Sequence, residues 1–152
     1  MLQFEQTCLI AADPVTVEHC IIEPYSMRQW LNPMLECQSM GPWRVELGSR
    51  FRFMIRVPPY PALECTVSDR RSGIIEWSFQ GFFEGTDRWE CRIHPSGTLL
   101  VNCFRFDIPN PWIKAGFNLF EGLTRHDMRS QLQRIKTLAE SRLATGKRPR
   151  DE

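Results

Sequence analysis

Few side chains in this sequence are suited to acid–base or nucleophilic chemistry, and none of the histidines is placed for it. The three histidines are His19, His94 and His126. His94 comes directly before the turn at 95–97, His19 lies on a short predicted helix, and His126 falls off the apolar stripe of a long one. The sequence also lacks a G-x-S-x-G nucleophile motif, a glycine-rich phosphate loop and a Cys–His pair of recognisable spacing.

Two carboxylates, Glu84 and Asp87, are the best candidates for a general acid or base. Both lie close to a predicted hairpin connection at 81–85. Charged side chains around a hairpin are usually solvated, and a solvated carboxylate has no unusual proton affinity. We therefore predict no catalytic residue in this sequence.

The six cysteines, at positions 8, 20, 37, 65, 91 and 103, stand singly. They form no C-x-x-C pair and no Cys/His spacing typical of a zinc site, so the sequence indicates neither a metal site nor a cofactor. Most of them lie within strand-like apolar patterns, which favours buried free thiols in a reducing compartment. Their even number leaves a disulfide framework as the alternative.

Composition and charge argue against several classes of function. The chain has 152 residues, 42% of them apolar, which suits one globular domain. Nineteen Lys and Arg oppose eighteen Asp and Glu, a formal charge of +1, so we expect no nucleic-acid partner. No apolar run approaches the roughly 20 residues of a membrane span, and we expect no secretory signal. We expect a cytoplasmic protein, for which transient contact with a membrane surface stays open.

The first third of the sequence predicts one strand and two short helices. Leu2–Ala11 has the pattern of a strand, and Asp13-Pro14 is a typical helix start. The first helix is predicted to run to His19 and to be stopped by Pro24, and a second to cover 26–31.

Residues 34–108 alternate with period two between turn residues, the pattern of antiparallel strands with one solvated face. After Asn110-Pro111, apolar residues recur at helical spacing to about residue 139, which predicts one long amphipathic helix. Its only large apolar partner is the inner face of the sheet.

These elements predict an α+β fold in which a curved seven-stranded antiparallel sheet wraps around a long C-terminal helix, with two short helices after the first strand. We place the domain at residues 1–145 and a flexible tail at 146–152. A helix laid across a strongly twisted sheet with large inward side chains leaves a cavity, or nearly one.

The sequence resembles the START-like, or SRPBCC, superfamily, whose helix-grip fold has this order of elements. The markers are Ile10-x-Ala12-Asp13-Pro14-x-x-Val17, Trp30-x-x-Pro33, Gly48, Gly97-Thr98 and Leu132-x-x-Ile135-Lys136-x-x-Ala139-Glu140. The superfamily includes carriers of lipids, quinones, sterols and plant hormones as well as polyketide cyclases and dehydratases, so the resemblance leaves function open. It implies a hydrophobic ligand site between sheet and helix.

Strand parity and the helical stripe predict which side chains face that site. Asn102 shares parity with the inward aromatic residues and is the best polar group to orient a ligand carbonyl or hydroxyl; a buried structural amide is the alternative. Packing within the core is the alternative for each apolar residue. The predicted ligand-binding residues are Phe53, Ile55, Trp77, Phe79, Trp89, Asn102, Phe104, Phe106, Phe117, Phe120 and Thr124.

Connections in an antiparallel meander alternate between its two ends, and here one end is aromatic while the other is polar. The aromatic end predicts an entrance rim for an apolar ligand, with Gly81, Gly85 and Gly116 supplying the backbone freedom for opening. The alternative is that these side chains fold back and plug the core. The predicted rim residues are Tyr60, Phe82, Phe83, Trp112 and Ile113.

We therefore predict a carrier or sensor that binds a small hydrophobic molecule, such as a lipid, a quinone, an isoprenoid or a polyketide-like compound. The alternative is a polyketide cyclase, aromatase or dehydratase that uses the same cavity, working mainly by folding a reactive chain in a dry space. A third hypothesis is a homodimer that covers Leu99, Val101 and Cys103 on the outer face of the last strand.

Overall fold

A computed structural model describes residues 2–56, 58–81 and 83–144, without the side chains of 113, 116–123, 143 and 144. The predicted tail at 146–152 lies outside these residues. The elements, in chain order, are β1 (Leu2–Ile10), α1 (Pro14–Ile22), α2 (Pro24–Trp30), β2 (Leu35–Ser39), β3 (Arg50–Ile55), β4 (Ala62–Arg71), β5 (Ile74–Gln80), β6 (Glu84–His94), β7 (Gly97–Asp107) and α3 (Pro111–Ala144).

The strands form one seven-stranded sheet in the order β1-β7-β6-β5-β4-β3-β2, and every neighbouring pair is antiparallel. Strands β2 to β7 follow one another as a meander, and β1 adds to the free side of β7. This arrangement, with two short helices after β1 and one long helix at the end, confirms the predicted helix-grip α+β fold.

Capping carboxylates start both short helices. The Asp13 carboxylate accepts hydrogen bonds from the Thr16 hydroxyl at 2.6 Å and from the Thr16 backbone N–H at 3.4 Å. Glu23 does the same for the second helix, accepting from the backbone N–H groups of Tyr25 and Ser26 at 2.8 Å each. The predicted boundaries were wrong here: α1 continues to Ile22, and Pro24 begins α2, because a proline at the first helical position has no N–H to leave unpaired.

The second half of α3 is fixed to β1, α1 and α2. Its buried stripe consists of Met128, Leu132, Ile135 and Ala139. Hydrogen bonds hold the same segment at its polar side, where Lys136 Nζ donates to the Leu9 carbonyl at 2.7 Å and the Ala11 N–H donates to Glu140 Oε1 at 3.0 Å. Arg134 Nε donates to the Trp30 carbonyl at 3.0 Å. No helix of the described chain is apolar over a length that would cross a bilayer.

Aromatic side chains dominate the core on the concave side of the sheet. Trp30 of α2 lies against Trp89 of β6, with ring centroids 5.5 Å apart, and Phe51 meets Trp77 edge-on at 5.1 Å. A second, smaller cluster joins Phe4, Phe106 and Ile108 with Met128 of α3. The two clusters leave space between them, which is the candidate site.

All six cysteines are unpaired, and Cys20, Cys65 and Cys91 are buried. Burial raises the pKa of the Cys37 and Cys91 thiols to about 12 each. These thiols therefore stay protonated near neutral pH and pack as small apolar groups.

Gly85 is required by the close approach of β6 to β7. A Cβ atom at this position would lie 2.0 Å from the Arg105 carbonyl oxygen and 2.6 Å from Phe106 Cα. Both are backbone atoms of the neighbouring strand and cannot move aside alone. This close approach is sufficient to explain a glycine at position 85, and no opening motion of the rim is needed to explain it.

We expect Gly85→Ala to lower the free energy of unfolding by about 3 kcal/mol, because the methyl group forces the strands apart. Gly41→Ala is the control, since a Cβ there meets nothing within 4 Å and only the positive φ of 114° adds strain, about 1 kcal/mol. Urea unfolding of both variants measures the difference. Equal destabilisation would show that the strands are not so closely spaced at Gly85.

Candidate ligand cavity

A cavity of about 320 Å³ lies between the concave face of the sheet and the helices α2 and α3. Its walls are mainly apolar, and aromatic side chains of β3, β5, β6 and β7 supply much of them. The apolar side chains that line it are Met27, Trp30, Leu31, Leu35, Phe53, Ile55, Leu63, Trp77, Phe79, Phe83, Trp89, Phe104, Phe106, Ile108 and Met128.

Strand parity places most of the predicted ligand-binding residues on this wall. Two of them, Phe117 and Phe120, have side chains outside the described part of α3. Contact of any of these residues with a ligand stays a prediction. Those that line the cavity are Phe53, Ile55, Trp77, Phe79, Trp89, Asn102, Phe104, Phe106 and Thr124.

The predicted rim residues differ in their exposure to solvent. Phe83 folds inward and lines the cavity, with its ring 6.2 Å from Phe79 and 6.1 Å from Phe104. Tyr60 and Trp112, by contrast, are 56% and 86% exposed. Phe82 and the side chain of Ile113 lie outside the described residues. Phe83 thus matches the packing alternative, whereas Tyr60 and Trp112 are free to meet solvent.

The prediction of a solvated Asp87 was wrong, because the structure places this side chain on the cavity wall. Its Oδ1 accepts a hydrogen bond from Asn102 Nδ2 at 2.6 Å, and its Oδ2 accepts one from Trp89 Nε1 at 3.1 Å. Glu84, the other candidate, is exposed as expected. Asp87 lies two residues before the inward Trp89 on β6, so strand parity was the signal that could have identified it.

Burial raises the pKa of the Asp87 carboxyl from its ordinary value to about 6. The hydrogen bonds from Asn102 and Trp89 favour the ionised form and offset part of this increase in pKa. A carboxyl with this pKa exchanges its proton near neutral pH. It is thus suited either to general acid–base chemistry or to holding a polar group of a ligand.

A second carboxylate, Asp127, lines the cavity from α3. It accepts hydrogen bonds from Asn32 Nδ2 at 2.9 Å and from Gln131 Nε2 at 3.2 Å, and Arg134 Nη2 lies 3.8 Å from its Oδ1. Burial raises its pKa, and the Asn32 bond and the Arg134 charge act in the opposite direction. Asp127 directly precedes Met128 of the buried stripe, and both residues line the cavity. Asp127 also ties α3 to the α2–β2 connection.

No group of three or more His, Cys, Asp or Glu side chains within the described ranges is arranged to hold a metal ion. Among the described residues, the polar groups on the cavity wall are Asp87, Asn102, Thr124, Asp127 and Gln131.

Residues 1–140 match the model of a protein family described as polyketide cyclase / dehydrase and lipid transport. The chain belongs to this family. The match covers both short helices, the whole sheet and most of α3, including every described residue of the cavity wall. It confirms the START-like, SRPBCC-type resemblance seen in the sequence.

Solved structures of the same fold come from several bacteria. A protein of unknown function from Staphylococcus aureus superimposes with a TM-score of 0.71 at 11% identity, covering 94% of this chain and 96% of its own. A Nitrosomonas europaea protein gives 0.70 at 14% identity with 94% and 97% covered, and one from Mesorhizobium loti gives 0.69 at 13% with 92% and 98%. At these identities the likeness shows the fold alone. No curated protein matches the chain in sequence.

We expect the stability of the protein to depend on the protonation of Asp87. The folded pKa of about 6 lies above the ordinary 3.8, so the folded state binds this proton more tightly than the unfolded state. The stabilisation is fully present below about pH 4 and is lost as the pH rises through about 6. Relative to Asp87→Asn, the free energy of unfolding of the wild-type protein should fall by about 2 to 3 kcal/mol between about pH 4 and about pH 7.5.

Urea unfolding of both proteins across this pH range measures that change. Every other carboxylate is common to the two proteins, so its titration cancels in the difference. A difference independent of pH would contradict the buried position of Asp87.

Proposed function

We propose that this protein binds a small, largely apolar molecule in the cavity between the sheet and α3, as a carrier or sensor. The observation that carries this proposal is the aromatic wall around about 320 Å³ of space. Cavities of roughly 300 to 1,000 Å³ with apolar walls and a few polar groups are typical of small-molecule sites. Lipid, quinone, isoprenoid and polyketide-like compounds all belong to the class that such a wall accommodates.

The arrangement of the rings supports a ligand rather than a solid core. Phe53 meets both Trp77 and Phe79 edge-on at 6.3 Å, and Phe79 meets Phe104 at 5.9 Å. These rings pack against one another along the wall of the cavity, and the cavity itself stays open. Transfer of an apolar ligand from water to this wall contributes about 25 cal/mol for each Å² of apolar surface buried. The family description, which names lipid transport and polyketide cyclisation, agrees with a site for apolar molecules.

We expect Ile55→Trp to weaken binding of the apolar fluorescent probe N-phenyl-α-naphthylamine by about tenfold or more, because the larger side chain occupies the space that the probe needs. Ile55 lines the cavity at the end of β3. Arg52→Trp is the matched control, since it adds the same side chain at an exposed position of the same strand. Fluorescence titration gives both affinities.

An equal affinity of the two variants, or no probe binding to the wild-type protein, would contradict the proposal. Extraction of freshly purified protein, followed by mass spectrometry of the extract, is the way to identify the natural ligand.

The second candidate function is that of a cyclase or dehydratase, and the position of Asp87 is the observation that favours it. An ionised Asp87 can take the α-proton of a ketone, which leaves an enolate. The protonated carboxyl can then return a proton to a departing β-hydroxyl group, so that water leaves and a carbon–carbon double bond forms. Both steps need only one carboxyl whose pKa lies near the working pH, as burial provides here.

Exchange of α-protons in β-tetralone dissolved in heavy water tests this chemistry. If Asp87 acts as the base, the wild-type protein accelerates exchange and Asp87→Asn slows it by about 100-fold or more. Glu84→Gln, on the same strand but exposed, is the control and should leave exchange unchanged. Proton NMR follows the exchange. Binding of β-tetralone without accelerated exchange would leave the carrier or sensor function as the account of the cavity.

The oligomeric state and the cellular compartment remain proposals. Val101, one of the residues assigned to a homodimer face, is already buried in the single chain. Leu99 and Cys103 are half-buried, so the apolar face left for a partner is smaller than the sequence suggested. We retain a homodimer and a cytoplasmic location as hypotheses, and analytical ultracentrifugation tests the first.

A further inference from the structure

The amide of Asn102 has no donor to offer a ligand. Asn102 is only 3% exposed and lines the cavity. Its Nδ2 donates to Asp87 Oδ1 at 2.6 Å and to the Arg88 carbonyl at 3.2 Å, which uses both of its N–H groups. Within the described chain its Oδ1 receives no hydrogen bond. The Asn102 amide can therefore offer a ligand only its acceptor, Oδ1.

Asp87 also presents acceptors. Each carboxylate oxygen receives one hydrogen bond, from Asn102 and from Trp89, and keeps unused lone-pair capacity. Trp89 Nε1 has a single hydrogen, which is committed to Asp87. The donors nearest the carboxylate, on Asn102 and Trp89, are therefore occupied, so Asp87 and Asn102 offer a ligand only acceptors.

The charge of Asp87 has no basic partner among the described residues. The other titratable groups near it are the buried Cys65 thiol of β4 and, on the α3 side of the cavity, Asp127, which has Arg134 within 3.8 Å. An unpaired carboxylate in an apolar space favours an occupant that donates a hydrogen bond or carries a positive charge.

We propose that the ligand is an apolar molecule bearing a hydrogen-bond donor, either a hydroxyl or a protonated amine, and that Asp87 and Asn102 Oδ1 hold this group. The proposal deepens the proposed function and rests on it. A ligand whose only polar group is an ether or ketone oxygen finds no free donor at Asp87 and Asn102. A carboxylate ligand is repelled by the charge of Asp87. Of the two ligand groups expected at Asn102, a carbonyl and a hydroxyl, its free Oδ1 suits the hydroxyl.

Competition with N-phenyl-α-naphthylamine on the wild-type protein, at about pH 8, where Asp87 is ionised, tests this selectivity. Four probes share one ring system: β-naphthol, β-naphthylmethylamine, methyl β-naphthyl ether and β-naphthoate. We expect the alcohol and the amine each to bind about tenfold or more tightly than the ether, and the carboxylate to bind weakest. The ratio of the alcohol to the amine shows whether the charge adds to the hydrogen bond.

Asp87→Asn distinguishes recognition from a purely structural role of the Asp87–Asn102 pair. Loss of structure would weaken all four probes alike. Loss of recognition should instead lower the affinity for the alcohol and the amine to within about threefold of the ether, while the ether itself binds as before. Glu84→Gln is the matched control and should preserve the full selectivity, because Glu84 is exposed on the same strand.

The possible failures are distinguishable. If the ether binds as tightly as the alcohol and the amine, the donor requirement is wrong and the proposed ligand-binding function stands. If no member of the series binds and the fluorescent probe does not bind either, both proposals fail. The wild-type series alone decides between these outcomes, so the result does not depend on the folding of the variant.

Discussion

The position of α3 is the constraint on which the cavity depends. Its second half is fixed by packing of Leu132 and Ile135 and by hydrogen bonds from Lys136 and Arg134 to backbone carbonyls of β1 and α2. These contacts join α3 to the edge strand β1 and to the two short helices. The large aromatic side chains of the central strands contact one another along the wall of the cavity.

The polar part of the site follows from the same geometry. Strands β6 and β7 turn Asp87 and Asn102 toward the space between the sheet and α3, where burial makes a carboxylate costly to ionise. Neutral donors, Asn102 and Trp89, reduce that cost without cancelling the charge. The Asp87 carboxylate is therefore tolerated in the folded protein and can still interact with a ligand.

The sequence predicted the fold because its patterns are local and strong. Alternation in the strands and the apolar stripe of α3 determine which faces are buried, and the cavity-facing positions of Phe53, Trp77 and Phe104 follow from parity alone. For Asp87 two signals conflict: closeness to a hairpin indicates solvent, whereas parity with Trp89 indicates the cavity wall, where the structure places it. The inward position of Phe83 and the contacts of α3 with β1, α1 and α2 depend on tertiary packing, which no local pattern encodes.

Diffraction from crystals of the protein pressurised with xenon, which enters dry apolar cavities, shows whether α3 and the sheet enclose an apolar space. We expect an anomalous peak among Trp77, Phe79 and Phe104, with α3 placed as described. Side chains filling that volume, with no xenon between sheet and helix, would contradict it.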